Sequence, residues 1–194
     1  MIRTERLLLR RWRDDDRAPF AAMNRDPAVM EYMQGLTAPE VSNAFVDRIE
    51  AHLDAHGWGL WAVEVPNVAL FVGFVGLWPA TQVLGWDSRE VGWRLARDHW
   101  GRGYATEAAH EALRFGYEEH GFDEIVSFTV PQNVRSRAVM ERIGLVRDPD
   151  GDFDHPRVDP IAYPRLVRHV LYRLGRAAWA ERRGAGKSQL SGRG

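Results

Sequence analysis

The chain has 194 residues and a formal net charge of −1, with 45% hydrophobic residues, 27% charged residues and no cysteine. This balance is typical of a single globular domain, and it gives no reason to expect binding to nucleic acid or to a membrane surface. The lack of cysteine excludes disulfides, thiolate metal ligands and a cysteine nucleophile. We expect one domain over 1–183, followed by a disordered, glycine- and serine-rich tail over 184–194.

Hydrophobic periodicity predicts strands interspersed with isolated helices. The first half of the chain predicts a strand over 5–12, a helix over 15–25, and a longer helix that begins at a Thr37–Glu40 capping box and ends near Gly57. Strands over 58–64, 68–77 and 89–96 follow, and then a long helix from Tyr104 to Gly121. The rest predicts a strand over 124–130, a helix over 134–143, a loop over 148–164, and a strand over 165–174 followed by a short helix. This order favours an α+β or mixed α/β fold. The longest apolar stretch, Val68 to Trp78, is shorter than the ~20 residues that span a bilayer, so we expect a cytoplasmic protein.

A glycine-containing turn separates the strand over 89–96 from the long helix. Gly101 and Gly103 carry no side chain, so the backbone there can turn tightly and approach a ligand closely. The first amides of a helix have no partner within it, and the positive end of the helix dipole attracts anions, so the turn predicts a phosphate site. Thr106 replaces the third glycine of a dinucleotide loop, and Gly186-Lys187-Ser188 lacks the rest of a P-loop. Both of these nucleotide-binding interpretations are therefore disfavoured.

Four motifs in this order resemble those of the GNAT superfamily of acetyl-CoA-dependent N-acetyltransferases. The turn is similar to the family's pyrophosphate loop: Gly103 and Ala105 match it, and Trp100 stands where arginine or glutamine is usual. Tryptophan at that place, and the string over 100–108, resemble the branch that contains the ribosomal-protein N-terminal (alanine) acetyltransferases. The other three motifs are the opening strand over 4–12, the segments Asn133–Ser136 and Met140–Leu145, and the strand over 169–174.

The resemblance implies a mostly antiparallel, twisted central sheet with a splayed pair of central strands, flanked by helices. It also implies that acetyl-CoA is a co-substrate, with its pantetheine arm against the strand over 89–96 and its diphosphate on the glycine turn. The coenzyme-binding residues that it implies are Trp93, Arg94, Leu95, Trp100, Gly101, Arg102, Gly103, Tyr104, Ala105, Thr106, Asn133 and Ser136.

Direct acetyl transfer to an amine needs a base and a proton donor for the leaving thiolate. Many GNAT enzymes carry a tyrosine as proton donor where this chain has Met140, so the resemblance assigns proton donation to Ser136 instead. The alternative role of Ser136 is a hydrogen bond from its hydroxyl to the backbone of the first helical turn. Glu90 is the first candidate base, with an ion pair at the sheet edge as its alternative, and His155 is the second candidate. Asn133 is also a favoured helix N-cap.

We expect the acceptor between the helical region over 14–56 and the loop over 148–164, whose five aspartates either attract a cationic amine or are simply solvated. A protein N-terminus and a small-molecule amine, such as an aminoglycoside, a polyamine or an amino acid, both remain open as acceptors. No metal is expected, because His52 and His56 lack the H-E-x-x-H pattern and a third ligand. We expect a monomer or homodimer. The alternative function is a non-catalytic acetyl-CoA-binding sensor or interaction module, and a dinucleotide-dependent enzyme ranks third.

Overall fold

The computed structural model describes the backbone of residues 1–191 and the side chains of residues 1–183. Its strands are Ile2–Arg3 (β1), Leu8–Arg10 (β2), Leu60–Val65 (β3), Ala69–Pro79 (β4), Arg89–Leu95 (β5), Glu124–Thr129 (β6), Val146–Asp154 (β7) and Arg168–Gly175 (β8). Its α-helices are Arg17–Met23 (α1), Pro39–His56 (α2), Thr81–Leu84 (α3), Tyr104–Arg114 (α4), Val134–Arg142 (α5) and Arg176–Ser191 (α6). A π-helical turn, Phe115–Glu119, continues α4.

The strands form one sheet in the order β1-β2-β3-β4-β5-β6-β8-β7. All neighbouring strands are antiparallel except β5 and β6, which are parallel. Strand β5 pairs with β4 along its whole length, but it shares only the Glu90–Val126 pair with β6. The two central strands therefore diverge beyond that pair. The predicted mixed fold, with a mostly antiparallel sheet and a splayed central pair, is confirmed.

Helices cover both faces of the sheet because β4 is apolar on both sides. Phe74 and Trp78 face α2, where the ring of Phe45 lies 6.2 Å and 6.0 Å from their rings between centroids. Leu77 faces the opposite layer and packs against the π-helical turn, 3.0 Å from the position that a Cβ on Gly116 would take. Strand β4 is therefore packed on both faces, and it pairs along the whole length of β5, the strand that bears the predicted site.

A buried ion network anchors β2 to the start of the first helical region. Arg10 donates from Nη1 to Asp16 at 2.7 Å and from Nε to Glu64 at 2.8 Å. The side chains of Arg10 and Asp16 are 5% and 3% exposed. The hydrogen bond to Asp16 is the largest influence that raises the pKa of Arg10. Each buried charge in this network has an opposite charge beside it, as burial requires.

The prediction of a loop over 148–164 is wrong for the first half of that range, which belongs to the edge strand β7. The register of β7 against β8 shifts between Asp148 and Phe153. Pro149 lies in this irregular stretch of an edge strand, where a missing N–H is tolerated. Proline and aspartate content therefore suggested a loop where a bulged strand forms.

The first strand and the cap of α2 also differ from expectation. The predicted strand over 5–12 is reduced to β2, and β1 precedes the predicted range. The two strands are joined by a turn in which the Thr4 amide donates to the Leu7 carbonyl at 3.0 Å. Helix α2 has Ala38 as its N-cap and Pro39 in its first turn, with no side-chain cap, so Thr37 does not form the predicted capping box. Proline sets the helical φ by itself at this place.

Helix α6 runs to Ser191, so it covers 184–191, where a disordered tail was predicted. Alanine, lysine, glutamine and leucine between the glycines favour a helix, which explains the difference. Residues 192–194 of that predicted tail lie outside the described residues, and the domain boundary at 183 stays a prediction. Over residues 1–191, no helix has the length and apolar character that crossing a membrane requires.

Candidate active site

A cavity of about 950 Å³ opens where β5 and β6 diverge. Its walls come from these two strands, the glycine turn, α5, and the segment between α1 and α2. The predicted site residues that line it are Glu90, Trp93, Arg94, Leu95, Trp100, Gly101, Gly103, Tyr104, Ala105, Thr106, Asn133 and Ser136. Arg102 does not line it and is exposed. The fold thus brings residues from three separate motifs into one cavity, while the role of each residue stays a prediction.

The glycine turn has the backbone that the sequence predicts. Gly101 and Gly103 have φ angles of 72° and 80°, in the left-handed region that favours glycine. The first amide of this region with a backbone partner is that of Glu107, which donates to the Gly103 carbonyl at 3.0 Å. Within residues 1–191, the amides of 101–106 have no backbone partner. Unpaired amides at the positive end of α4 form a site for an anion.

Two side chains hold this turn in place. The indole Nε1 of Trp100 donates to the Leu95 carbonyl at 2.8 Å, which ties the turn to the end of β5. Arg6 donates from Nη1 to the Arg102 carbonyl at 2.9 Å and from Nε to Glu107 at 2.7 Å. Trp100, the departure from the usual motif, therefore anchors the turn. Arg6 was missed from the sequence, because nothing in local spacing links it to a turn almost a hundred residues away.

Strand β5 presents Glu90, Gly92 and Arg94, which share one face of the strand, to the cavity; Trp93 and Leu95 also line it. Within residues 1–183, the Glu90 carboxyl has no hydrogen bond or ion pair, so the edge-of-sheet ion pair that was its alternative role is absent there. Burial raises the pKa of Glu90 to about 8. Burial likewise lowers the pKa of Arg94 to about 10, and Arg94 donates from Nη1 to Asn24 Oδ1 at 2.7 Å. A carboxyl with this pKa can exchange protons near neutral pH.

The start of α5 places two polar groups on the opposite wall. Asn133 caps the helix, because its Oδ1 accepts from the Ser136 amide at 3.2 Å, and its Nδ2 donates to Thr129 Oγ1 at 3.1 Å. Its N-cap prediction is confirmed. The Ser136 hydroxyl makes no hydrogen bond within residues 1–183, so the alternative of a serine bonded to the backbone is absent there. Met140 lines the cavity and is buried, and its thioether carries no proton to donate.

The second candidate base and the acidic residues lie outside the cavity. His155 packs against His169 with 4.8 Å between ring centroids, and burial lowers its pKa to about 4. Three of the aspartates are in ion pairs, Asp148 with Arg173, Asp152 with Arg147 and Asp154 with Arg168. Asp159 accepts from the amides of Ile161 and Ala162. The expectation that these aspartates attract the acceptor has no support in their positions.

The segment between α1 and α2 contributes Val29, Tyr32 and Met33 to the cavity wall, and sequence reasoning missed all three. They lie in a region with neither clear periodicity nor a motif. Only the broad expectation that the acceptor lies near residues 14–56 pointed to this segment.

Comparison with known proteins identifies the family. The model of the acetyltransferase (GNAT) domain matches residues 6–146. This chain belongs to the GNAT acetyltransferase family. The predictions of a GNAT fold and of an N-acetyltransferase are confirmed at this level, and the narrower assignment to the ribosomal-protein branch stays a prediction.

Relatives of this GNAT acetyltransferase are found among both sequences and structures. The uncharacterized protein YkkB of Bacillus subtilis is 34% identical over 143 residues, which cover 73% of this chain and 83% of YkkB. A GNAT-family acetyltransferase from Bacillus anthracis matches with a TM-score of 0.74 and 25% identity, over 91% of this chain and 98% of that one. A ribosomal alpha-N-protein acetyltransferase solved with coenzyme A matches with a TM-score of 0.69 and 14% identity, over 90% and 97% of the two chains. This last likeness shows the shared fold alone.

Proposed function

We propose that this GNAT acetyltransferase transfers the acetyl group of acetyl-CoA directly to a primary amine held in the same cavity. The observation that carries the proposal is the row of unpaired amides over 101–106, which follows two left-handed glycines and opens onto the gap between β5 and β6. Such amides bind a diphosphate without any strongly basic surface. The coenzyme A bound to a solved protein of the same fold supports this ligand.

The splayed strands supply the place for the pantetheine arm. Beyond the Glu90–Val126 pair, β5 has no strand partner on its β6 side among residues 1–191, so the backbone of Trp93 and Arg94 is available to an extended ligand. The Leu95 carbonyl is already bonded by Trp100, and the arm would leave the strand at that point. Arg142, exposed and on the cavity rim, adds positive charge for the phosphates.

The chemistry follows from the two walls of the cavity. The amine nitrogen attacks the thioester carbon, the carbon–sulfur bond breaks, and the amine loses a proton to Glu90. Ser136 donates the proton that the coenzyme A thiolate takes up, and a β5 backbone amide stabilises the oxyanion. Glu90 then releases the amine proton to solvent and Ser136 regains one from solvent, so both side chains return to their starting states. No covalent enzyme intermediate is needed, because both substrates are held together.

Two measurements on the wild type and two variants test this proposal. We expect Gly103→Asp to lower the affinity for acetyl-CoA, measured by calorimetry, at least tenfold, because a side chain and a negative charge would occupy the diphosphate site. Gly85→Asp is the matched control: Gly85 is also left-handed, with φ of 84° and open space around it, but lies outside the cavity. Wild-type affinity in Gly103→Asp would remove the turn from the site.

Thiol release across a panel of amines and peptides then separates transfer from binding alone. Acceptor-dependent release of coenzyme A, with the acetylated amine seen by mass spectrometry, supports the transferase. Tight acetyl-CoA binding without release for any acceptor contradicts it and favours the sensor or interaction module. Met140, in place of the family's usual tyrosine, is the observation that keeps this second function in view.

A further inference from the structure

Arg94 is a cation in the cavity wall that no carboxylate neutralises within residues 1–183. Its contacts are the Asn24 carboxamide oxygen at 2.7 Å, the Met33 sulfur at 3.2 Å, and the face of Phe74, whose centroid is 5.5 Å from Arg94 Cζ. All three partners are uncharged. Arg10, by contrast, is buried against two carboxylates. Arg94 lines the cavity and is partly buried, and a charge that is partly removed from water without a counter-charge is costly. The fold therefore leaves unpaired at Arg94 a charge that it pairs at Arg10.

A relay of hydrogen bonds fixes the position of the Arg94 guanidinium. Asn24 is only 2% exposed, and its Nδ2 donates to Ser42 Oγ at 3.0 Å. This bond orients the carboxamide oxygen towards Arg94. An arginine has five N–H donors in a planar fork, and the described contacts use one donor from each terminal nitrogen. The remaining donors are sufficient to bind a carboxylate or phosphate through two hydrogen bonds.

The floor of the cavity between Arg94 and Glu90 is open. The residue between them on this face of β5 is Gly92, where an added Cβ would meet nothing closer than Glu90 Oε1 at 3.8 Å. At about 3.3 Å per residue, the Cα atoms of Glu90 and Arg94 are ~13 Å apart. A small acceptor lying over Gly92 would thus have the candidate base at one end and a cation at the other.

The other arginines of the cavity are either paired or lie at its rim, where Arg142 was assigned to the coenzyme phosphates. Arg6 and Arg135 on the cavity wall are in ion pairs with Glu107 and Glu31. The aspartates of the 148–164 segment, which were expected to draw in a cation, lie outside the cavity. A polycationic acceptor would therefore meet a like charge at Arg94, and an acceptor with an anionic group would supply the missing counter-charge.

We propose that the acceptor is an amine that also carries an anionic group, a carboxylate or a phosphate, and that Arg94 binds this anion while the amine lies towards Glu90. This inference rests on the proposed acetyl transfer and names its substrate class. It assigns to the Arg94 side chain a specificity role beyond the backbone contact of that residue with the coenzyme.

Matched acceptors test the inference. We would compare L-phenylalanine, phenylalaninamide and phenethylamine, then glycyl-phenylalanine and its amide, then phosphoethanolamine and ethanolamine, by thiol release and mass spectrometry. We expect kcat/KM for the anionic member of at least one set to exceed that of its neutral counterpart at least tenfold. The peptide set tests a longer distance between amine and anion, and the last set distinguishes phosphate from carboxylate.

Variants of Arg94 test the assignment. In Arg94→Gln we expect the anionic-to-neutral ratio of kcat/KM to fall at least tenfold, to about 1, chiefly through KM for the anionic acceptor, since a bidentate charged pair is lost. Arg94→Lys keeps the charge but not the fork, and should give an intermediate ratio. Arg89→Gln is the matched control, because Arg89 is on the same strand, pairs with Asp87 at 2.6 Å and lies outside the cavity.

The outcomes separate this inference from the proposed function. Transfer to neutral amines with no preference for any anionic partner overturns the inference and leaves the transferase intact. A preference that persists in Arg94→Gln overturns the role of Arg94. No thiol release with any acceptor overturns the proposed function and, with it, the substrate class. Should Arg94→Gln fail to fold, the Arg94→Lys ratio and the wild-type panel decide the same question.

Discussion

Glu90 should couple the rate of acetyl transfer to pH. Its carboxyl lines the cavity, and burial raises its pKa to about 8. A base acts only in its ionised form, and a group with this pKa is about 1% ionised at pH 6 and about 90% ionised at pH 9. We therefore expect kcat/KM to rise about tenfold per pH unit below pH 8 and to level off above it.

The perturbation is Glu90→Gln, which keeps the shape of the side chain and removes its basicity. We expect kcat/KM at pH 9 to fall by roughly 10²-fold or more, the usual contribution of a positioned base, and the rise with pH to disappear. Thiol release is measured from pH 6 to 9.5 at saturating acetyl-CoA. Glu119→Gln is the control, because Glu119 is an exposed carboxylate outside the cavity.

Free amines also lose a proton with rising pH, so two acceptors of different amine pKa are compared. If ionisation of Glu90 causes the rise in kcat/KM, the midpoint of that rise stays near pH 8 with both acceptors. If ionisation of the amine causes it, the midpoint shifts with the pKa of the amine. An unchanged profile in Glu90→Gln would refute the assignment of Glu90 as the base.

The same pKa has a consequence for stability. Because folding raises the pKa of Glu90 above its ordinary value of 4.5, the folded state favours the protonated carboxyl. Its contribution to stability is fully present below pH 4.5 and is lost as the pH rises through about 8. We expect the drop in Tm between pH 5 and pH 9 to be smaller in Glu90→Gln than in the wild type. Equal drops would show that the carboxyl is solvated.

Two further substitutions test the opposite wall and the buried network. Ser136→Ala should lower kcat about a hundredfold with little change in acetyl-CoA affinity, since it removes a proton donor; a wild-type kcat would clear Ser136 of this role. Asp16→Ala should lower the free energy of unfolding, measured in urea, by about 3–5 kcal/mol, because it removes a carboxylate from the buried Arg10. Asp14→Ala is its control, with a side chain 98% exposed, and a comparable loss there would count against the buried network as the cause.

Much of the candidate site is built by residues that are close in sequence, and this part was therefore predictable. Hydrophobic periodicity predicted strand β5, and Gly101 and Gly103 predicted the tight turn in which both glycines are left-handed. Asn133 capped its helix as expected. These features are local, because the period of a strand, the φ of a glycine and the cap of a helix each involve only a few consecutive residues.

Long-range pairing was decided only by the tertiary structure. The bonds of Arg6 to Glu107 and of Arg94 to Asn24 join residues 101 and 70 positions apart, and no spacing rule connects them. The bulged edge strand β7 forms because β8 offers it a partner, in spite of its prolines and aspartates. The amino-acid sequence alone thus determined the glycine turn and the family. Packing of distant segments decided which charges are neutralised, and among the side chains of residues 1–183 it left Arg94 in the cavity wall without a counter-charge.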